Sequence, residues 1–260
     1  MERLAAISRI FVAVGMAAFG IHQLVYGNFV RWIAKLPSWA PMPGVWPYLT
    51  GVVFLAGAAA ILFRKEARTA ALILSWMILA IAILLHPFEI ASNPTVADLW
   101  GRAGKAFALA GAAALVAASF REERVPSSLR FLESIIPLAP FFLGIFFCIT
   151  GVEHFIYARF VVQMIPSWIP TRTFWTYFTG TALLAGGVGM MTPKLARLAG
   201  LWAGAMVFSW VVLLHIPRAF TDLHKTDETT AVFEALVIAG AAFLVAVKAG
   251  EGKIRRAASA

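Results

Sequence analysis

Charge is scarce in this sequence, and cysteine nearly absent. Only 13% of its 260 residues are Asp, Glu, Lys or Arg, about half the share found in soluble domains. Apolar residues make up 61%, and the mean hydropathy is +0.82. So little charge excludes a large water-soluble catalytic domain and describes an integral membrane protein, with the lipid bilayer as its first partner. The single cysteine, Cys148, lies inside an apolar run. It rules out an internal disulfide and a Cys-x-x-Cys relay, so any electron chemistry has to borrow a cofactor. Acidic residues are fewer than basic ones, 13 against 22, for a net charge of +9. The basic residues fall in short clusters between apolar runs, as membrane-flanking residues do, and nucleic acid is not expected as a partner.

The apolar runs, read between charges and prolines, predict eight spans: Ala5–Val25, Trp46–Phe63, Ala67–Leu85, Ala103–Ser119, Ile135–Ile156, Phe174–Met191, Leu195–His215 and Val232–Val247. The first run is long and continues into His22-Gln23 without a convincing cleavage site, which reads as an uncleaved helix. With eight spans, Lys and Arg divide fourteen against eight between the two sides. The richer side carries both termini, so both are expected in the cytoplasm of a bacterial-type inner membrane. Trp32, Trp39, Trp46, Trp100, Trp168 and Trp175 all fall on or near the other side, where indole suits the headgroup region.

The two halves of the chain repeat each other at a shift of 129 residues. Pro37-Ser38-Trp39-Ala40-Pro41 recurs as Pro166-Ser167-Trp168-Ile169-Pro170. Trp46, Tyr48, Thr50 and Gly51 recur as Trp175, Tyr177, Thr179 and Gly180, His86 as His215, and Asp98 as Asp227. Upstream the shift is 131, placing Gly20-Ile21-His22-Gln23 on Gly151-Val152-Glu153-His154 and Phe29-Val30 on Phe160-Val161. Four spans return a chain to its starting side, so the repeats are parallel. The predicted architecture is all-α: two four-helix bundles, residues 1–120 and 135–250, joined by a cytoplasmic linker, 121–134, and followed by a basic tail, 251–260. Small residues recur at one place in the third helix of each half, Ala71-x-x-x-Ser75 and Gly200-x-x-x-Gly204, where helices can approach closely.

After each first helix comes an outer connection. In the first half Phe29, Val30, Trp32, Ile33 and Leu36 fall on one helical face, which predicts a short interfacial helix stopped by Pro37. Phe160–Ile165 is its counterpart, stopped by Pro166. The segments containing Pro37, Trp39 and Pro41, and Pro166, Trp168 and Pro170, then turn the chain back toward the membrane as rigid, Trp-anchored turns.

Polar groups gather at the outer ends of the odd-numbered spans. His22 and Gln23 close the first, His86 the third, Glu153 and His154 the fifth, and His215 the seventh. Ionisable groups at that depth need a partner or a wet cavity. The set suits proton exchange with a bound quinone, while the plainer reading has the imidazoles reaching interfacial water or capping loops. The ligand spacing is not diagnostic of a metal, and bis-histidine haem, which needs facing pairs at matched depth, is not expected. Lys105 and Glu234 hold equivalent places with opposite charges. They can pair across the interface between the units, or each locally, Lys105 with Asp98 or Glu89 and Glu234 with Arg218 or His215; local pairing is the preferred reading. His224 reads as solvated. No catalytic residue is assigned.

Gly151-x-x-His154-Phe155, Phe160-Val161, Ile165-Pro166-x-x-x-Pro170, Tyr177-x-Thr179-Gly180 and Pro193-x-x-x-Arg197-x-Ala199 resemble the DoxX-like family of small four-helix membrane proteins. The chain looks like two of them fused, over roughly residues 10–118 and 140–247, and the first unit departs from the pattern at His22-Gln23. The resemblance implies a membrane subunit of a quinone-linked redox or oxidative-stress complex with a membrane or periplasmic partner subunit. A small-molecule transporter or channel, or a scaffold without chemistry, are the alternatives left by the residues alone.

Overall fold

In the computed structural model, residues 1–221 and 226–258 are described, by backbone alone from residue 252. His224 and the basic tail side chains beyond Glu251 lie outside the described residues. The described chain is all-α. Its elements are α1 (Glu2–Tyr26), α2 (Trp46–Phe63), α3 (Ala67–Leu84), α4 (His86–Ser92), α5 (Ala97–Ser119), a 3₁₀ segment (Ser127–Leu138), α6 (Ala139–Ile156), α7 (Ala158–Met164), α8 (Arg172–Met191), α9 (Ala196–Trp210), a π-helical turn (Val211–His215), α10 (Ile216–Thr221) and α11 (Thr226–Ala258).

Among the described residues, six stretches are long and apolar enough to cross a membrane: Glu2–Tyr26, Trp46–Phe63, Ala67–Ser92, Ser127–Ile156, Ala196–Thr221 and Thr226–Glu251. The other two predicted spans are helical, α5 and α8, but less oily. Fifteen residues of α5 are buried, most of them alanine, because the helix is enclosed by other helices and needs small side chains more than lipid-facing ones. α8 carries four threonines and four glycines. Its hydroxyls are satisfied within the helix: Thr176 donates to the Arg172 carbonyl at 3.0 Å, Thr179 to Trp175 at 2.7 Å and Thr181 to Tyr177 at 2.9 Å.

The long helices close a ring in which α1 packs on α2, α2 on α3, α3 on α5, α5 on α6, α6 on α8, α8 on α9, α9 on α11, and α11 back on α1, with α5 and α11 also meeting across the middle. Neither half therefore forms a closed four-helix bundle of its own. α1 barely touches α5, and α6 barely touches α11; each of these last helices packs on the first helix of the other half. Corresponding contacts recur. A Cβ on Gly20 would meet the Gly51 carbonyl at 2.7 Å, and one on Gly151 the Gly180 carbonyl at 3.0 Å, so both first and second helices approach to backbone contact. The small-residue pairs serve the contact between third and last helices. Ser75 donates to the Ala110 carbonyl at 2.8 Å, and a Cβ on Gly200 would lie 2.5 Å from the Ala242 carbonyl.

Side chains close the end that holds the linker. Arg9 donates to the Ser119 hydroxyl and carbonyl, both at 2.8 Å, and lies over the Phe120 ring. Arg68 pairs with Glu133, and Lys248 donates to the Ile136 carbonyl at 3.0 Å. At the opposite end both Pro-Ser-Trp-x-Pro segments form the same turn: the Ala40 N–H donates to the Pro37 carbonyl at 2.9 Å and the Ile169 N–H to Pro166 at 3.0 Å. Trp39 and Trp168 are exposed, and Pro41 and Pro170 lie at the surface beside them.

The first connection corrects the sequence reading. Phe29–Leu36 is not a helix. Gly27 ends α1 in the left-handed region (φ 64°), and the chain then runs as coil into the protein, burying Val30, Trp32, Ile33 and Ala34. The apolar residues that suggested an interfacial helix face the protein interior instead. In the second half Ala158 stands where Gly27 does, and the chain starts a helix, α7, none of whose residues is buried.

Candidate functional site

Under α7 the missing burial leaves a chamber of about 590 Å³, within the range of ligand pockets. Residues of α5, α6, α8, α9, the π-helical turn, α10 and α11 wall it, with Arg31 and Trp32 of the first connection on one side and Phe160 and Met164 of α7 at its edge. Glu153, His154 and His215 all line it, so the structure brings three of the sequence candidates together. His22 and His86 are not among its lining residues. His22 lies with its Nε2 3.1 Å from Asn28 Oδ1 and its ring against Tyr26. His86 is 1% exposed, and among the described residues neither ring nitrogen has a hydrogen-bond partner.

Each of the three converging groups is positioned by its backbone. His154 lies one turn beyond Thr150 on α6, and its Nδ1 is 2.7 Å from the Thr150 carbonyl oxygen. A carbonyl only accepts, so Nδ1 carries the proton and Nε2 of the neutral ring is an acceptor. Its ring stacks on Trp210 at 6.2 Å. His215 ends the π-helical turn, a widened turn that rotates side chains out of the α-helical register. Glu153 sits against α5 where Gly101 leaves room: a Cβ there would lie 2.9 Å from Glu153 Oε1. Among the described residues neither Glu153 nor His215 has a side-chain hydrogen bond or an ion pair, and both are only partly exposed.

Around this trio the charges are paired. Lys105 contacts Glu234 directly, joining α5 of one half to α11 of the other. This corrects the local pairing read from the sequence. The last helices meet across the middle of the ring, so their nearest opposite charges come from the other half, while the local partners are already engaged. Arg102 holds Glu89 at 3.1 Å and Asp98 at 3.2 Å, and Arg218 holds Glu228 at 2.6 Å. Arg31 reaches both Asp98, at 3.1 Å, and Asp227, at 3.8 Å. Arg31, Asp98, Arg102, Trp210, Arg218, Asp227 and Glu228 thus belong to the chamber although the sequence reading did not select them as site residues. The match of Asp98 to Asp227 at the repeat shift was the available signal for two of them.

Four cations, Arg31, Arg102, Lys105 and Arg218, face five carboxylates, Asp98, Glu153, Asp227, Glu228 and Glu234, on the chamber lining. With Glu153 the unpaired member, the lining offers no excess of positive charge to an anion. It suits a molecule without negative charge that exchanges hydrogen bonds or protons with imidazole and carboxyl groups.

Comparison with known proteins reaches the second half. Residues 143–250 match a family model described as Domain of unknown function (DUF8561). No curated protein and no solved structure matches the chain. The matched stretch runs from α6 into α11 and contains Glu153, His154, His215 and Glu234, whereas Lys105 and Trp32 lie outside it.

Proposed function

We propose that this chain is a tandem DoxX-like protein crossing the membrane eight times, with both termini cytoplasmic, whose chamber beneath the outer face binds a quinone for a membrane-associated redox complex. The observation that carries the reading is that three proton-carrying side chains without ionic partners, Glu153, His154 and His215, line one chamber of about 590 Å³. The matched small-residue contacts of the two halves support the duplication.

A bound quinone supplies reversible two-electron, two-proton chemistry, its electrons coming from a partner redox subunit. The chain's part is to hold the head and move protons. His154 Nε2 accepts a hydroxyl proton when the ring is neutral and donates to a carbonyl when the ring is charged. The carbonyl of Thr150 fixes this orientation. His215 offers a second imidazole, and Glu153 a carboxyl at the chamber's border. The ion pairs that surround the trio hold the walls without competing for it.

The purified protein is expected to bind a quinone analogue, with affinity falling at least about tenfold, or about 1.4 kcal/mol, in His154→Ala and in His215→Ala. Unchanged binding in both variants would remove the chamber from consideration as the quinone site.

A further inference from the structure

A second hollow meets the first at Glu153. It is a crevice of about 380 Å³ between α5 and α6, lined by Ala97, Trp100, Cys148, Val152, Ile156 and their neighbours, and almost wholly apolar. Trp100, Val152 and Ile156 are 51%, 45% and 65% exposed. In the eight-span reading proposed above α5 and α6 both cross the membrane, and on such helices this exposure faces lipid, so that reading has the crevice open sideways toward the bilayer. Glu153 is the residue that lines both hollows. Opposite it stands Gly101, and a side chain at that position would occupy the space the carboxyl now fills. The seam between crevice and chamber is therefore one side chain thick.

We propose that the quinone enters laterally from the bilayer, with its apolar tail lying in the α5–α6 crevice, its head in the chamber, and Glu153 at the junction. This rests on the quinone reading above and adds to it the class of ligand, one with a lipid tail, and the path it takes. A water-soluble quinone would need only the chamber. The lack of excess positive charge on the chamber lining, set beside an apolar annex, matches an amphiphile whose head is not an anion. The tail gains little hydrophobic energy by leaving lipid for the crevice. The crevice therefore works as a guide and a steric requirement rather than as the main source of affinity.

The test compares decylubiquinone, which has a tail, with tetramethylbenzoquinone, which is a head alone, on the full chain in lipid nanodiscs. Val152→Trp narrows the crevice at an exposed position. It should weaken decylubiquinone binding about tenfold and leave tetramethylbenzoquinone unchanged. Cys148, the chain's only cysteine, lines the crevice and serves as a native reporter. With decylubiquinone at about ten times its Kd, alkylation of Cys148 by N-ethylmaleimide should slow about tenfold, because the free site falls to roughly a tenth. Tetramethylbenzoquinone should not protect it. If decylubiquinone binds in a His154-dependent manner but Val152→Trp weakens both quinones equally, or neither, the crevice is not the tail path and the quinone reading stands. If neither quinone binds the unaltered chain, the quinone reading fails and the lateral path falls with it.

Discussion

The same position in the two halves of this molecule is packed shut in one and hollow in the other. In the first half Phe19, Trp32 and Phe54 are fully buried and stack edge to face, with ring centroids 5.8 to 6.2 Å apart. At the repeat shifts, Phe19 corresponds to Thr150 and Phe54 to Leu183. Both of these smaller residues line the chamber. Trp32 has no inward counterpart, because the second connection is the surface helix α7. The polar groups follow the packing. Gln23 and His86, the counterparts of His154 and His215, are buried, and among the described residues Gln23 Nε2, both His86 nitrogens and Trp32 Nε1 lack hydrogen-bond partners. One half fills this space with aromatic packing; the other keeps it open, with Glu153, His154 and His215 on its lining. A repeated sequence thus need not mean a repeated site.

Removing the plug should have the largest effect. Trp32→Ala deletes a fully buried indole from between two phenylalanine rings and should cost about 3–5 kcal/mol of stability, measured by unfolding in detergent. A cost below about 1 kcal/mol would mean that this segment does not hold the first half together. Next comes the bridge between the halves. Glu234 is 7% exposed, and Lys105→Ala leaves its carboxylate without a counter-ion, so destabilisation by about 3 kcal/mol is expected. Replacing both, Lys105→Met with Glu234→Leu, should recover most of that loss, since a buried pair is often matched by apolar packing. If the double variant is as unstable as the single one, the charges are needed for more than their mutual neutralisation.

The third test makes the second half resemble the first. Thr150→Phe with Leu183→Phe installs the two aromatic side chains that face Trp32, at positions that line the chamber. Quinone-analogue affinity should fall at least about tenfold while the unfolding midpoint changes little, because the rings fill existing space. Full retention of affinity would separate the binding site from the chamber.

The sequence carries the repeat and the polar groups at the helix ends, but not which half is packed and which is hollow, and the reason is physical. The recurring Gly20 and Gly151, and the grouping of Glu153, His154 and His215 at one end of the helices, follow from spacing and the direction of the chain. The buried course of Val30–Ala34 does not, because an apolar stripe looks the same whether it meets lipid or protein. Nor does the Lys105–Glu234 pair. Spacing leaves local and cross-half partners both open, and only the exchange of last helices between the halves brings these two side chains, 129 residues apart, into contact. α5 and α8 were read as spans from their apolar runs; their alanine and glycine content reflects neighbours that only the packing reveals.

The smallest predicted effect lies at the point where the two connections diverge. Gly27 has φ 64°, a region that costs an L-residue other than Gly or Asn about 1–2 kcal/mol. Alanine also loses less chain entropy on folding, which offsets part of that, so Gly27→Ala should cost about 1 kcal/mol. The built Cβ would lie 2.6 Å from the Tyr48 hydroxyl, but that is the end of a side chain able to swing away. Gly27→Asn should cost less, because asparagine tolerates the left-handed conformation. Equal losses for alanine and asparagine would point to crowding against Tyr48. A larger loss for alanine would identify backbone conformation as what turns the first connection inward, where Ala158 lets the second run on as a helix and leaves the chamber beneath it open.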